Sequence, residues 1–280
     1  MREIDCSVIT RNIKEMCISA AHMIAPDMKE AFARAAREEQ SPLGRKIIGQ
    51  LQENARIAGE DMIPICQDTG MAVVFAEIGQ DVHITGGYFE DAVNEGVREG
   101  YTEGYLRKSV VSDPLERINT KDNTPAVIHT RLVPGSHIRL TLASKGFGSE
   151  NMSKIFMLKP ADGIEGVKNA VISAVDEAGP NACPPMVVGV GIGGDFEKCA
   201  IMAKHALTRE CGRHAEDPQT AQLEEELRNR INELGIGPAG LGGTVTAFAV
   251  NIEKYPTHIA GLPVAVNICC HVNRHVTREF

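Results

Sequence analysis

A short stretch in the first quarter of the chain places three kinds of reactive side chain next to one another. Cys66, Gln67 and Asp68 supply a thiol, an amide and a carboxylate in successive positions, and Thr69-Gly70 follows them. An aspartate before such a pair favours a turn, so these side chains are expected on a loop. A thiolate can bind a metal or act as a nucleophile, and a carboxylate can move a proton or cap a turn. The stretch therefore predicts either a catalytic loop or a capped turn.

Two further cysteines lie where a regular element is expected to meet a loop. Cys183 is flanked by prolines, which stiffen the backbone and remove competing N–H donors, and Cys270 ends an apolar stretch. Neighbouring residues on a strand point to opposite faces, so one of Cys269 and Cys270 should be buried. The remaining cysteines, at positions 6, 17, 199 and 211, are expected to be buried packing residues.

Three cysteines without an obvious fourth ligand match two kinds of metal site. One is zinc with an open coordination position, and the other is a cubane iron–sulfur cluster with three cysteine-bound irons and one free iron that acts as a Lewis acid. The eight cysteines include no Cys-x-x-Cys pair, which excludes the spacings of zinc ribbons and ferredoxins. Any metal site must therefore be assembled from distant segments of a folded chain, and spacing alone leaves both metals open.

Composition and charge limit the class of protein. The chain has 280 residues, of which 43% are hydrophobic and 24% charged, with a net charge of −8. These values indicate a globular protein and argue against a nucleic-acid or anionic-membrane partner. No apolar run reaches the roughly 18 residues of a membrane span, and the first residues lack the apolar segment of a signal peptide. We expect a cytoplasmic protein.

Hydrophobic periodicity and turn signals predict the elements that carry these loops. They indicate one α+β domain over residues 1–280, with a helical part over about residues 1–60 followed by mixed or antiparallel strands with packed helices. The predicted helices cover residues 13–24, 28–39, 42–58, 89–106, 162–178, 195–207 and 217–234. The predicted strands cover residues 71–78, 82–85, 126–133, 137–143, 186–192, 244–252 and 262–269. The strands at 126–133 and 137–143 are joined by Pro134-Gly135 and are predicted to form a hairpin.

One glycine-rich stretch imitates a nucleotide-binding motif. Gly189-Val190-Gly191-Ile192-Gly193-Gly194 fits the G-x-G-x-x-G pattern between a predicted strand and a predicted helix. A dinucleotide site also needs a second strand that ends in an acidic residue about 20 residues further on. Thr208-Arg209-Glu210-Cys211-Gly212 stands there instead. The stretch is interpreted as a tight strand-to-helix turn packed near the metal site.

Five motifs together resemble the alpha region of the iron–sulfur hydro-lyases, the family that contains class I fumarase and L(+)-tartrate dehydratase. The resemblance covers nearly the whole chain, and the combination of motifs in this order is specific to the family. The motifs are Cys66-Gln67-Asp68-Thr69-Gly70, Lys145-Gly146-Phe147-Gly148-Ser149-Glu150-Asn151, Gly179-Pro180-Asn181-Ala182-Cys183-Pro184-Pro185, Gly235-Ile236-Gly237-Pro238 and Asn267-Ile268-Cys269-Cys270-His271.

The resemblance implies a cofactor and a reaction. The cofactor would be a 4Fe–4S cluster on Cys66, Cys183 and Cys270, with the fourth iron binding the hydroxyl and a carboxylate of a 2-hydroxy diacid. The reaction would be the reversible hydration of fumarate to (S)-malate, a step of the tricarboxylic acid cycle. Dehydration of L(+)-tartrate to oxaloacetate is the alternative within the family. A non-catalytic zinc-binding protein that uses the same three thiolates is the alternative outside it.

The resemblance also implies contacts with the substrate. Gln67 and Asp68 match residues that contact it, and Asp68 is expected to be the acid acting on the hydroxyl side. Arg107 matches an arginine that clamps a carboxylate with two hydrogen bonds, although a solvated helix end would explain it equally simply. The backbone N–H of Gly148 is expected to approach the substrate.

Four more residues have supporting roles in this interpretation. Lys145 is expected to add positive charge beside the glycine loop, and His258 matches a histidine that lies behind the cluster ligands. A surface position after a proline and a threonine is the simpler alternative for His258. His271 and His275 are adjacent candidates near Cys270.

The chain offers no convincing base for removing the carbon-bound proton. In the family, that base and further carboxylate-binding residues come from the beta part. The sequence ends at Phe280, ten residues past Cys270, and the two-subunit members of the family are similar in length. The resemblance therefore implies an alpha subunit that is inactive alone and is completed by a separate beta subunit, in an α2β2 assembly.

Overall fold

The computed structural model describes all 280 residues and has the α+β architecture that the sequence predicts, with helices near the N-terminus and mixed sheets after them. None of the helices combines the length and the apolar composition that crossing a membrane requires. The helices are α1 (Cys6–His22), α2 (Pro26–Glu38), α3 (Pro42–Asp61), α4 (Phe89–Glu103), α5 (Phe147–Glu150), α6 (Gly163–Ala178), α7 (Phe196–Ala206) and α8 (Pro218–Glu233). The strands are β1 (Arg2–Asp5), β2 (Met71–Gly79), β3 (Val82–Thr85), β4 (Val127–Val133), β5 (Ile138–Lys145), β6 (Lys154–Leu158), β7 (Met186–Gly194), β8 (Ala247–Thr257), β9 (Leu262–Cys269) and β10 (His275–Glu279).

The chain divides into two compact units, each assembled from separate segments. The first unit contains Met1–Ala25, Ala55–Phe147 and Arg274–Phe280, and the second contains Pro26–Asn54 and Gly148–Asn273. Each unit has its own apolar core, built mainly from α1, α4, β2 and β5 in the first and from α6, α8, β7, β8 and β9 in the second. The single domain over residues 1–280 stays a prediction.

The main sheet of the first unit has the strand order β10-β5-β2-β4. Strand β4 pairs with β2 in parallel, whereas β5 pairs with β2 antiparallel. Strands β4 and β5 are therefore not neighbours, and the predicted hairpin is wrong. A separate two-stranded sheet pairs β1 with β3 in parallel, which explains why the chain begins with a strand before its first helix.

The link between β4 and β5 passes over the end of β2. The backbone N–H of Gly79 donates to His137 O at 2.9 Å, and that of Gln80 donates to Val133 O at 2.8 Å. A Cβ atom on Gly79 would lie 2.4 Å from Gly135 O, so only glycine fits at this crossing. Pro134 and Gly135 do mark a turn, but the turn encloses the end of a third strand.

Helices α1 and α4 pack together at backbone contact. A Cβ atom on Gly96 would lie 2.6 Å from Thr10 O, and one on Gly100 would lie 2.8 Å from Cys17 Cβ. Glycine at these two positions of α4 lets the helix axes approach closely. The buried face of α4 then ends at Tyr101, which has no exposed surface.

The sheet of the second unit has the strand order β6-β9-β7-β8. Strand β7 pairs in parallel with β8 and antiparallel with β9. The G-x-G-x-x-G stretch lies along β7, where Cβ atoms on Gly189 and Gly191 would come within 2.0 Å of Ala203 O and 2.1 Å of Cys199 O. These glycines let α7 lie directly on the strand. Close packing of α7 accounts for the glycines of this motif, which agrees with the interpretation that the motif does not bind a nucleotide.

A buried carboxylate joins the N-terminal helices of the second unit to the segment before β8. Glu39 accepts hydrogen bonds from the backbone N–H groups of Ser41 at 2.8 Å, Thr244 at 3.0 Å and Val245 at 2.9 Å. Burial raises the pKa of Glu39, but the N–H groups of Thr244, Ser41 and Val245 stabilise the anion and bring the pKa below its ordinary value. The sequence alone predicts no role for Glu39 beyond the end of a helix.

The substitution Glu39→Gln should destabilise the chain by about 1–3 kcal/mol at neutral pH, because a neutral amide cannot satisfy three converging donors. The pKa of Glu39 is lower in the folded chain than in the unfolded one, so its contribution is present above the unfolded pKa and is lost as pH falls through the folded pKa. Urea unfolding at pH 7, 5 and 3.5 should therefore show the two chains converging in acid. Glu38→Gln, on a neighbour that is 43% exposed, is the control. An equal effect of both substitutions at pH 7 would contradict the assignment.

Candidate active site

The Cys66–Gly70 stretch is a loop between α3 and β2 in the first unit. Its preceding residue, Ile65, is buried and donates its backbone N–H to Ala21 O at 3.0 Å. Cys66 is half-buried, and its Sγ donates to Oε1 of Gln67 at 3.4 Å. The exposed side chain of Gln67 and the thiol beside it therefore lie at the surface of a loop with a fixed base.

The carboxyl group of Asp68 is oriented by two backbone donors. Oδ1 accepts from the N–H of Gly70 at 2.9 Å, and Oδ2 accepts from the N–H of Phe147 at 2.9 Å. The first bond is the capped turn that was the structural alternative for this residue. A carboxylate oxygen has more than one acceptor position, so each oxygen can still receive a further hydrogen bond. Asp68 thus caps the turn and presents a carboxyl group of defined orientation.

A buried phenol fixes the end of the same loop. The hydroxyl of Tyr101 on α4 donates towards Thr69 O at 3.1 Å and Gly70 O at 2.9 Å. Burial raises the pKa of Tyr101, so the phenol stays protonated and remains a donor. Gly70 has φ +83°, and its Cβ would lie 2.9 Å from the main chain of Lys145, so glycine is required there. Tyr101 is not among the predicted site residues, because its only signal in the sequence is one aromatic residue on the apolar face of a helix.

The segment that carries Arg107 is tied to this loop. The hydroxyl of Thr69 donates to Arg107 O at 3.1 Å. The buried side chain of Asn123 donates to Gly70 O at 3.2 Å and accepts from the N–H of Ser109 at 2.7 Å. Helix α4 ends at Glu103, so the exposed Arg107 lies beyond the helix rather than in its last turn. This placement removes the helix-end explanation for Arg107.

Lys145 and Gly148 lie on either side of the boundary between the units. Lys145 ends β5 with only 3% of its surface exposed, and its Nζ donates to Gly146 O at 3.3 Å. Gly148 belongs to the second unit and is exposed on α5. A Cβ atom on Gly148 would meet only Asn181 O, at 3.9 Å, so its backbone is open to an approaching molecule.

Cys183 and Cys270 lie at the same end of β7 and β9, the two inner strands of the second sheet. Strand β7 begins shortly after Cys183, β9 ends just before Cys270, and the antiparallel pairing places Val187 opposite Cys269. His271 then closes the two segments together, because its backbone N–H and its Nδ1–H both donate to Cys183 O, at 3.2 and 2.9 Å. The structure therefore brings together two of the three predicted ligands and gives His271 a role in holding them.

The backbone at Cys183 is unusual and well supported. Cys183 ends a short 3-10 helix, Gly179–Ala182, in the left-handed conformation with φ +52° and ψ +64°. Pro184 O accepts from the N–H of Ala239 at 2.9 Å, and a Cβ atom on Gly240 would lie 2.2 Å from Pro180 Cβ. The residues after the Gly235-Ile236-Gly237-Pro238 motif thus pack against the segment that aims Cys183.

Burial separates the eight cysteines into two groups. Cys183 is exposed and Cys66 and Cys270 are half-buried, whereas every other cysteine is buried. Cys269 is one of the buried ones, with 3% exposure, which confirms that one of the neighbouring pair faces inward. Burial raises the pKa of Cys17 to about 12 and that of Cys211 to about 11, and it also raises the pKa values of Cys6 and Cys199. Thiols in such environments are poor metal ligands because they stay protonated.

One predicted neighbour of the metal site, His258, lies far from Cys183 and Cys270 along their sheet. His258 is exposed beyond the end of β8, where its Nδ1 accepts from the N–H of Ala260 at 3.1 Å. Thr257 pairs with Gly194 at the end of β7, so His258 and the glycine turn lie at the opposite end of this strand from Cys183, and the strand between them is roughly 26 Å long. His275 begins β10 in the first unit. No group of three or more His, Cys, Asp or Glu side chains is close enough to hold a metal ion.

Known proteins resemble the chain along almost its whole length. The family model described as "Fumarate hydratase (Fumerase)" matches residues 10–279. A protein of Methanocaldococcus jannaschii, provisionally named L(+)-tartrate dehydratase subunit alpha, is 40% identical over 274 residues, which is 96% of each chain. The L(+)-tartrate dehydratase subunits alpha of Escherichia coli K12 and Shigella sonnei are each 30% identical over 257 residues, covering 90% of this chain and 84% of theirs.

Proposed function

Because the chain belongs to the fumarate hydratase family and is a hydro-lyase, we propose that it is the alpha subunit of an iron–sulfur enzyme that hydrates fumarate reversibly to (S)-malate. The cofactor would be a 4Fe–4S cluster bound by Cys66, Cys183 and Cys270. The observation that carries this proposal is that these three cysteines, each within a motif of the family, are the ones that the fold leaves unburied. Membership of an enzyme family sets aside the non-catalytic zinc-binding alternative.

The donor set fits a cluster with one open iron. Three sulfur atoms without a fourth protein ligand leave one iron free, and such an iron supplies Lewis-acid chemistry that eases the departure of a hydroxyl group. The three thiols are also accessible, since Cys183 is exposed and Cys66 and Cys270 are half-buried.

The residues around the loop have separate tasks in the proposed reaction. Asp68, oriented by the N–H groups of Gly70 and Phe147, would transfer a proton to or from the substrate hydroxyl. Gln67 would hydrogen-bond the same substrate from its exposed position. Arg107 would bind a carboxylate through two parallel N–H donors.

Lys145 and Gly148 complete the proposed binding residues. Lys145 would add positive charge for a dianionic substrate, and the open backbone N–H of Gly148 would donate to a carboxylate oxygen. His258 is left out of the proposal because it lies at the opposite end of the strands from Cys183 and Cys270.

A second subunit is part of the proposal. The relatives from M. jannaschii, E. coli and S. sonnei are all named as alpha subunits, and this chain offers no convincing base for the carbon-bound proton. We therefore propose a beta subunit that supplies the base and further carboxylate-binding groups, in an α2β2 assembly. A reducing compartment, such as the cytoplasm, would keep the three thiols and an exposed iron in their active states.

Dehydration of L(+)-tartrate is the second candidate function. The tartrate dehydratase names of the relatives favour it. The same cluster and the same loss of water would operate, and the pocket would need to accommodate one additional hydroxyl group. A pocket that merely tolerates or excludes such a hydroxyl discriminates by about 10²-fold, so the two substrates should be separable by kcat/KM.

The test is anaerobic production of the chain with and without a beta-type subunit, followed by assays on malate, fumarate and L(+)-tartrate. We expect the pair to be active and the chain alone to be slower by about 10²-fold or more, because general base catalysis is missing. A preference for malate over tartrate supports the first function, and the reverse preference assigns the second. Full activity of the chain alone would refute the two-subunit proposal.

A further inference from the structure

Arg274 is a buried arginine that contacts the Cys66–Gly70 loop and has no role in the proposed function. It stands just before β10, four residues after Cys270 in the chain, and belongs to the first unit. Only 5% of its surface is exposed. Its Nη1 donates to Asp68 O at 2.8 Å, and its own carbonyl accepts from the N–H of Ser144 at 3.2 Å. The guanidinium therefore holds the peptide between Asp68 and Thr69 from the inside of the unit.

The buried positive charge of Arg274 is not paired with a carboxylate, and one of its N–H donors has no acceptor. Its Nε is buried and has no hydrogen-bond partner, and the arginine forms no ion pair with a carboxylate. Burying a guanidinium without a paired anion and with an unsatisfied donor is costly. Keeping such a group against the Cys66–Gly70 loop therefore indicates that its positive charge or its donors are used there.

The positions of nearby atoms indicate that Arg274 orients Asp68. A Cβ atom on Gly146 would lie 3.1 Å from Asp68 Oδ2 and 3.4 Å from Arg274 Nη2, so the carboxylate and the guanidinium lie close to the same side of Gly146. Gly146 precedes Phe147, whose N–H binds that same carboxylate oxygen. Arg274 thus hydrogen-bonds the main chain of Asp68 and also lies close to the Asp68 side chain.

We propose that Arg274 is the positioning residue of the Cys66–Gly70 loop. It holds the backbone of Asp68 so that the carboxyl group keeps its two N–H partners, and its fixed positive charge lies near that carboxyl group. It acts through Asp68 and does not itself contact the substrate. The kinetic consequence rests on the proposed function, whereas the structural consequence does not.

The structural consequence can be measured by hydrogen exchange on the full chain alone, without cluster or beta subunit. Arg274→Gln should speed exchange of the N–H groups of Gly70 and Phe147 by about tenfold or more, because local opening becomes easier. Amides of β7 and β9 in the second unit should keep their rates. Arg274→Lys, which keeps the charge and one donor, should restore part of the protection. Arg278→Gln is the matched control, since Arg278 lies four residues further on and pairs with Glu15 at the surface.

The kinetic consequence needs the assembled enzyme. Arg274→Gln should lower kcat by about 30-fold or more while KM changes by less than about threefold, because an interaction of the transition state is lost rather than uniform substrate binding. Arg274→Lys should recover part of kcat, and Arg278→Gln should change neither constant. A rise in KM with kcat unchanged would overturn the positioning role.

Each outcome of the exchange experiment decides the proposal. Faster exchange confined to Gly70 and Phe147 supports it. Unchanged exchange at these amides overturns it, and so does faster exchange throughout the first unit, since that reports only general destabilisation. If the unsubstituted enzyme proves to have no hydratase activity, the proposed function fails while the exchange result still stands.

Discussion

Serine in place of Cys66, Cys183 or Cys270 is expected to remove most of the bound iron and nearly all hydro-lyase activity. A serine hydroxyl stays protonated at neutral pH and is a much weaker iron ligand than a thiolate. Loss of a group that only supports a metal ligand costs about 10–100-fold in affinity or activity, so loss of a ligand itself should exceed 100-fold. Iron per chain, visible absorbance and activity should be measured on anaerobic preparations of each variant.

The matched control for this experiment is Cys199→Ser. Cys199 is fully buried, and its Sγ donates to Phe196 O at 3.3 Å, a bond that a serine hydroxyl can also make. This variant should keep its iron and its activity. If one of the three single substitutions left the iron content unchanged, that cysteine would not be a ligand, and the proposed set would have to include a different residue.

The substitution Asp68→Asn is expected to lower kcat by about 10²–10⁴-fold, the range found for loss of a general acid or base. The iron content should remain that of the unsubstituted enzyme, because no ligand is removed. An amide also cannot accept from both Gly70 and Phe147, since one of its two ends is a donor. The variant therefore tests the turn cap and the proton transfer together, and the two contributions must be separated.

The separation uses stability and a second aspartate. Asp113 is a turn-capping residue of the same unit, with Oδ1 accepting from the N–H groups of Leu115 at 2.7 Å and Glu116 at 2.8 Å. Asp113→Ala removes both bonds and should destabilise the chain by a similar amount, about 0.5–1.5 kcal/mol, without the loss of kcat. Equal losses of kcat in both variants, or a loss in Asp68→Asn that disappears when the folded fraction is corrected, would exclude a catalytic role for Asp68.

Local sequence determined those features that depend on a residue and its immediate neighbours. Periodicity and turn residues predicted the longer helices and strands with shifted boundaries, as at α4, which ends at Glu103, but they missed the short elements β1, α5, β6 and β10. The alternation of side chains along a strand was enough to predict that Cys269 or Cys270 faces inward. The unburied state of Cys66 and Cys183 agrees with their places in turn-forming motifs, because those motifs interrupt regular structure.

The tertiary structure decided everything that depends on which distant segments meet. Strand β2 lies between β4 and β5, and no local signal near Pro134 reveals a third strand in a turn that otherwise resembles a hairpin. Parallel pairing of β7 with β8 places His258 at the opposite end of the strands from Cys183, although its local sequence suited a position near the ligands. Which distant strands pair depends on the whole chain, and this choice produces no periodic pattern in the local sequence.

The supports of the candidate site were also invisible before folding. Tyr101 and Arg274 meet the Cys66–Gly70 loop only because α4 and the start of β10 pack in the first unit. The sequence by itself determined which side chains can perform the chemistry, since a thiol, an amide and a carboxylate are properties of the residues. Their orientation was decided by hydrogen bonds across 31 to 206 residues of chain, because a loop without regular structure takes its shape from the surfaces that enclose it.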